Sequence, residues 1–94
     1  MLKGLLGRLF GGARTEPEIP AEDYRGYRIR PTPYSRNGQF QTCGVIEKDF
    51  PDGAREHRFI RAEMHPSREG AVQFTLTKAR QIIDEQGDRI FRDS

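Results

Sequence analysis

From Gly38 to Lys48 the chain alternates with a period of two, the spacing of a strand with two distinct faces. Phe40, Thr42, Gly44 and Ile46 fall on one face; Gln41, Cys43, Val45 and Glu47 fall on the other. Asp49-Phe50-Pro51-Asp52-Gly53 reads as a turn, with proline presetting φ and glycine accepting a left-handed position. Arg55–Ala62 then returns as a strand. Phe59 and Ile60 are adjacent, so only one can face the core; placing Phe59 inward leaves Ile60 and Arg58 outside with Val45. After His65-Pro66 the period changes. Ser67 is a natural N-cap and Glu69 suits the first turn of a helix. Val72, Leu76, Ala79 and Ile83 follow at helical spacing, widened by Ala71, Thr75 and Ile82 into one buried face, and Gly87 offers a left-handed stop. Gly44 would let this helix approach the sheet closely. Phe74 falls opposite the buried stripe, which marks it as a candidate second contact surface.

Upstream, Tyr24–Arg30 reads as a first strand with Tyr27 and Ile29 inward and Arg28 and Arg30 outward. Pro31 and Pro33 end it at a sheet edge, and Asn37-Gly38 forms the hairpin turn into the next strand. Ile90 and Phe91 could add one more turn, or a short strand, to close the core. The expected fold is therefore α+β: a three-stranded antiparallel β-meander with one C-terminal helix on one face, β-β-β-α, over residues 24–94. Residues 1–23 form an amphipathic opening and an acidic, proline-containing linker. In the opening, Leu2, Leu5, Leu6, Leu9 and Phe10 recur at helical spacing with Lys3 and Arg8 elsewhere on the wheel. Such a stretch can dock on a membrane surface, fill a partner's groove, or fold back over its own domain. Its four glycines weaken a free helix.

The length, 94 residues, allows one domain, and the apolar share of 34% leaves a thin core. Self-association that buries more surface is consistent with that balance. One cysteine, Cys43, excludes an internal disulfide and fits a reducing compartment. No stretch is long enough to span a membrane, and the start lacks a secretory signal's features. A cytoplasmic location is expected. The net charge of +2 conceals short blocks: basic over residues 1–14, acidic over 15–23, basic again over 24–36.

Little in the sequence points to catalysis. Cys43, His57 and His65 lie on separate elements without metal-ligand spacing. Cys43 and His57, on neighbouring strands, could form a nucleophile pair, but nothing supplies an oxyanion hole or a third orienting group. Glu47, Asp49, Asp52 and Glu56 cluster about a turn, where solvated charges are ordinary. Gly11-Gly12 lacks the Lys-Ser/Thr of a phosphate loop. No enzyme, cofactor, metal or small-molecule substrate is expected.

Two surfaces remain. Arg28, Arg30 and Arg58, with Arg25 and Arg55 nearby, would make a basic stripe suited to phosphates, and Tyr24 or Tyr34 could stack a base. No second helix stands at helix-turn-helix distance. The same outer face would carry Val45, Ile60 and Cys43, an apolar centre ringed by arginines, which is the composition of a protein interface.

Glu47-Lys48, the run His57-Arg58-Phe59-Ile60-Arg61-Ala62 and the run Ile83-Asp84-Glu85-Gln86-Gly87-Asp88 make the chain similar to the small bacterial proteins of the HlyU family. The opening MLKGLLGRLFGG resembles the apolar, glycine-rich start of those chains, and the likeness extends from Tyr24 to Phe91. The resemblance implies a transcriptional activator, associated with control of a haemolysin, and brings no catalytic residues. It points to a non-enzymatic regulator acting through DNA or protein. The alternative is a protein- or membrane-docking adaptor that uses Leu5, Leu6, Leu9 and Phe10 and makes no direct DNA contact.

Overall fold

The computed structural model describes residues 19–92. Five strands form one antiparallel sheet: β1 (Glu22–Tyr24), β2 (Tyr27–Pro31), β3 (Tyr34–Arg36), β4 (Gln39–Phe50) and β5 (Gly53–His65). Helix α1 (Arg68–Gln86) and a 3-10 turn (Gly87–Phe91) follow. The α+β class and the single C-terminal helix agree with the pattern of the sequence. The three-stranded meander does not.

Two turns account for the difference. The stretch expected as one strand from Tyr24 to Arg30 is broken at Arg25-Gly26, where both residues have positive φ (52° and 84°). Tyr24 pairs with Tyr27 across that turn, giving a hairpin of β1 and β2. Arginine rarely takes that conformation, so the turn has none of the usual Asn-Gly or Asp-Gly signature. Asn37-Gly38 does have it, with φ of 52° and 79°, and joins β3 to β4 as expected. Strands β2 and β3 lie end to end along one edge of β4: β2 pairs with Gly44–Glu47 and β3 with Gln39–Gln41. The Pro31-Thr32-Pro33 stretch separates them, since proline offers no N–H to a ladder. Thr32 still donates its backbone N–H to the Cys43 carbonyl at 2.8 Å.

Along its other edge β4 pairs with β5 from Phe40 to Phe50. The register slips between Gln41 and Cys43, where Met64 and Ile60 stand opposite. Three residues of β5, Arg61 to Glu63, thus bulge against Thr42 alone. The displaced carbonyls find partners: Gln41 Nε2 donates to Arg61 O, and Thr42 Oγ1 donates to Glu63 O at 2.9 Å.

The helix begins where the cap predicts, with Ser67 Oγ accepting from Gly70 N at 3.0 Å. Ala71, Thr75, Leu76, Ala79, Ile82 and Ile83 are buried against Ile29, Ile46 and Phe59. Gly44 is the point of closest approach: a Cβ there would lie 2.7 Å from Thr75 Cγ2. Gly87 then takes φ of 56° and stops the helix. The 3-10 turn inserts Ile90 and Phe91 into the core, the second of the two closures the sequence allowed being unused. Phe91 stacks on Tyr27 with centroids 6.2 Å apart and meets Phe50 edge-on at 5.6 Å.

A polar seam ties the β1–β2 hairpin and the end of β4 to the helix. Arg80 grips Glu22 with two hydrogen bonds of 2.7 and 2.8 Å. Tyr24 Oη donates to Asp84, Tyr27 Oη to Asp88, and Lys48 Nζ to Asp88. The Arg80 hydrogen bond holds the Glu22 carboxyl below the usual carboxylate range, and the Tyr27 and Lys48 hydrogen bonds do the same for Asp88. Burial, aided by Asp88, pushes the Tyr27 phenol up to about 12. Depressed carboxyls stabilise the fold above their unfolded pKa of about 4 and lose that contribution as pH falls through the lower folded values. Denaturant midpoints should therefore drop between pH 5 and pH 3 by linkage, and Glu22→Gln should show a smaller drop. An equal drop in the two proteins would mean that the Glu22–Arg80 pair contributes nothing.

Candidate interaction face

Helix α1 covers only one side of the sheet. By the pairing register, the other side carries Arg28 and Arg30 from β2, then Gln41, Cys43, Val45 and Glu47 from β4, then Glu56, Arg58 and Ile60 from β5. Successive side chains of a strand alternate between faces, so these positions share one surface. Arg30, Val45 and Arg58 form one row across it, and Cys43 and Ile60 form the next. Tyr34, opposite Gln41, extends the surface at one end and is 42% exposed.

The three expected arginines are thus brought together, but two are already engaged. Glu47 lies directly across from Arg28 and accepts from its Nε at 2.9 Å through Oε1, while Oε2 accepts from Arg30 Nη2 at 2.8 Å. Partial burial by itself would raise the Glu47 carboxyl, yet the two guanidinium hydrogen bonds outweigh it and hold the group below its ordinary value. Arg28 also lies 3.9 Å from Asp49. One ionised carboxylate shared by two cations leaves the pair with a net charge of about +1. Arg25 and Arg55 leave the stripe: Arg25 pairs with Asp84 of the helix at 3.3 Å, and Arg55 pairs with Asp52 and lies over the Phe50 ring. Tyr24 is occupied with Asp84, so Tyr34 is the tyrosine of this face that is open to a base.

The apolar centre differs from its expected form. Ile60 does face outward, 54% exposed, and Phe59 faces the helix. Val45 and Cys43 lie on the outer face too, yet they are only 2% and 3% exposed. Phe74 is half-buried rather than open, its ring 5.0 Å from that of His65 and beneath Lys78 Nζ. It does not meet Ile90 or Phe91, which pack at the far end of the helix. Leu5, Leu6, Leu9 and Phe10 lie outside the described residues.

Cys43 and His57 are not brought together. Cys43 points to the outer face while His57, opposite Ile46, belongs to the helix side, so the two cannot act together. The Cys43 thiol instead receives a hydrogen bond from Thr32 Oγ1 at 3.3 Å. No cluster of three metal-binding side chains occurs among the described residues, and no described helix is long and apolar enough to cross a membrane. A shallow recess of about 170 Å³ lies where β1, β2 and β4 meet, among Asp23, Tyr27, Arg28, Glu47, Lys48 and Asp49. Its cations already have carboxylate partners.

Glu47 is the residue that pattern reading undervalued. It reads as one acid of a solvated turn cluster, and only the register of β2 on β4 places it opposite Arg28.

Fold and face together define a small sheet-and-helix module with a mixed-charge, partly apolar outer face. Its sequence matches the profile of the family described as "Transcriptional activator HlyU" over residues 4–91, and the chain belongs to that family. No curated protein and no solved structure matches it.

Proposed function

We propose that this protein regulates transcription by binding DNA or a protein rather than by catalysis, and that the outer sheet face is its contact surface. Membership of a transcriptional-activator family carries this reading. The non-enzymatic part is supported by the separation of Cys43 from His57 on opposite faces of the sheet. A cytoplasmic location goes with it.

Direct DNA contact would run through Arg28, Arg30 and Arg58, with Tyr34 beside them. Removing one phosphate-binding side chain should reduce the slope of log K against log salt by about 0.9 for duplex DNA. The triple alanine variant should therefore bind more weakly and with a flatter slope. Glu47→Gln should do the opposite, because it releases both Arg28 and Arg30. Anisotropy titrations at several salt concentrations would read both effects. If neither variant changes the slope, DNA does not meet this face. The adaptor reading is then preferred, and the commitment of Arg28 and Arg30 to Glu47 already favours a protein contact over bare phosphates.

A further inference from the structure

We propose that strand β5 pairs through its open border with β5 of a second copy of the chain, antiparallel and centred on His57, so that the two sheets join into one. From Gly53 to Ile60 the strand keeps unbroken register with β4, and its other border has no strand partner among the described residues. In an antiparallel ladder the backbone groups of every second residue turn away from the neighbouring strand. β5 therefore presents a row of N–H and C=O groups along that border, which a further strand can satisfy. Glu56 and Arg58, on the outer face of this stretch, are both exposed, and among the described residues neither has an ion-pair partner within the chain. The outer-face charges of β2 and β4, by contrast, are joined to one another: Arg28 and Arg30 share Glu47.

Symmetry narrows the available registers. A two-fold axis between two antiparallel edge strands stands perpendicular to the sheet, which keeps both helices on the same side. Residues directly opposite share a face, so the axis passes beside one residue that faces its own copy. At Arg55, Glu56 or Arg58 that residue would set like charges together, a destabilising pair. Centred on Phe59 or Ile60, the ladder would run into the bulge at Arg61–Glu63. Centred on Ala54, it would run into the Pro51-Asp52 turn and bring Asp52 against Glu56. His57 remains. Centred there, Ala54–Ile60 of each copy pair along their whole length. Glu56 stands opposite Arg58 of the second copy, and Arg58 opposite its Glu56, so both unpartnered charges are matched twice over. Ile60, 54% exposed, stands opposite Ala54. On the helix side Arg55 stands opposite Phe59, and His57 opposite His57.

The paired stretch is short, and its contact is smaller than the about 800 Å² per partner of a standard interface. A reversible dimer is therefore expected rather than a permanent one. The pairing is isologous and uses both borders up, so association stops at two. The two outer faces would lie side by side on one surface and present Arg28 and Arg30 in duplicate, related by the two-fold axis.

Sedimentation equilibrium of the full chain, without DNA, tests this pairing independently of the regulatory role. The weight-average mass should rise reversibly with concentration from that of one chain toward twice that value. Glu56→Arg and Arg58→Glu should each weaken the dimer more than tenfold, because like charges then face each other on both sides of the axis. An equimolar mixture of the two variants should recover it, since every reversed charge then meets its opposite on the other chain. A monomer at every concentration up to about 1 mM would overturn the proposal. So would association that neither reversal weakens, a mixture that fails to recover it, or growth beyond two copies. Should a variant unfold, His57→Cys provides a second measurement. Facing its own copy, the new thiol should form an interchain disulfide under mild oxidation, where the parent, its one cysteine buried, forms none. Absence of that product would exclude the register.

Discussion

Phe91→Ala is expected to cost about 3–5 kcal/mol, the range for removing a buried phenylalanine from a packed core. The residue stands close to the end of the chain, in a 3-10 turn beyond the helix, where a pattern-based view would allow fraying. It is nevertheless buried, stacked on Tyr27 and edge-on to Phe50. The cavity would open beneath two aromatic rings that the Tyr27–Asp88 hydrogen bond and the Lys48 ammonium hold in place. Little collapse is then available to offset it. Against a total stability of about 5–15 kcal/mol for a domain of this kind, such a loss should lower the melting temperature by more than about 10 °C. A melting temperature within two or three degrees of the parent, roughly what half a kcal/mol produces, would show that the 3-10 turn is not part of the cooperative core.

The second large effect is expected at Gly44, where helix and sheet come closest. The added methyl of Gly44→Ala would meet Thr75 Cγ2 at 2.7 Å and the Phe59 ring at 3.1 Å. The backbone there is ordinary extended strand, so the penalty is steric and not conformational. Overpacking of this kind costs about 1–3 kcal/mol. Thr75 is itself fully buried, and its hydroxyl has no hydrogen-bond partner among the described residues. Thr75→Ala removes both the colliding methyl and that orphaned oxygen. The double variant should recover part of the loss, with a coupling on the order of 1 kcal/mol in a thermodynamic cycle. Strict additivity in chemical denaturation would mean that the helix shifts as a body and that Thr75 is not the obstacle.

These two sites differ in how far sequence reveals them. The helix was legible because its cap, its apolar stripe and its stop agree with one another: Ser67, the residues from Ala71 to Ile83, and Gly87. Strand alternation left Phe59 and Ile60 as rivals for the inward position, which Phe59 takes, and the closeness of helix to sheet at Gly44 followed from the lack of a side chain. The first hairpin was not legible. Arg25-Gly26 turns the chain with an arginine in left-handed conformation, held by a contact to Asp84 on the distant helix, and no local rule anticipates that. The division of β2 from β3 was readable only as a strand end at Pro31 and Pro33. The face itself was half legible. Arg28, Arg30 and Arg58 do fall on one face of the sheet, whereas the sharing of Glu47 by Arg28 and Arg30 depends on register between strands, which local periodicity does not encode.

The bulge at Arg61–Glu63 has a consequence for how the protein behaves in a crowded solution. Strand β5, thirteen residues long, pairs with β4 on one side, and its other border has no strand partner among the described residues. A flat border of that length would template the addition of further chains, molecule upon molecule, toward fibres. Three residues set against one on β4 interrupt the regular repeat of that border, and Gln41 and Thr42 hold the interruption by hydrogen bonds to its carbonyls. An incoming chain could follow β5 only from Gly53 to Ile60, past Arg55, Glu56 and Arg58, before losing step. Gln41 and Thr42 thus hold in place, from the neighbouring strand, the irregularity that breaks the regular border of β5.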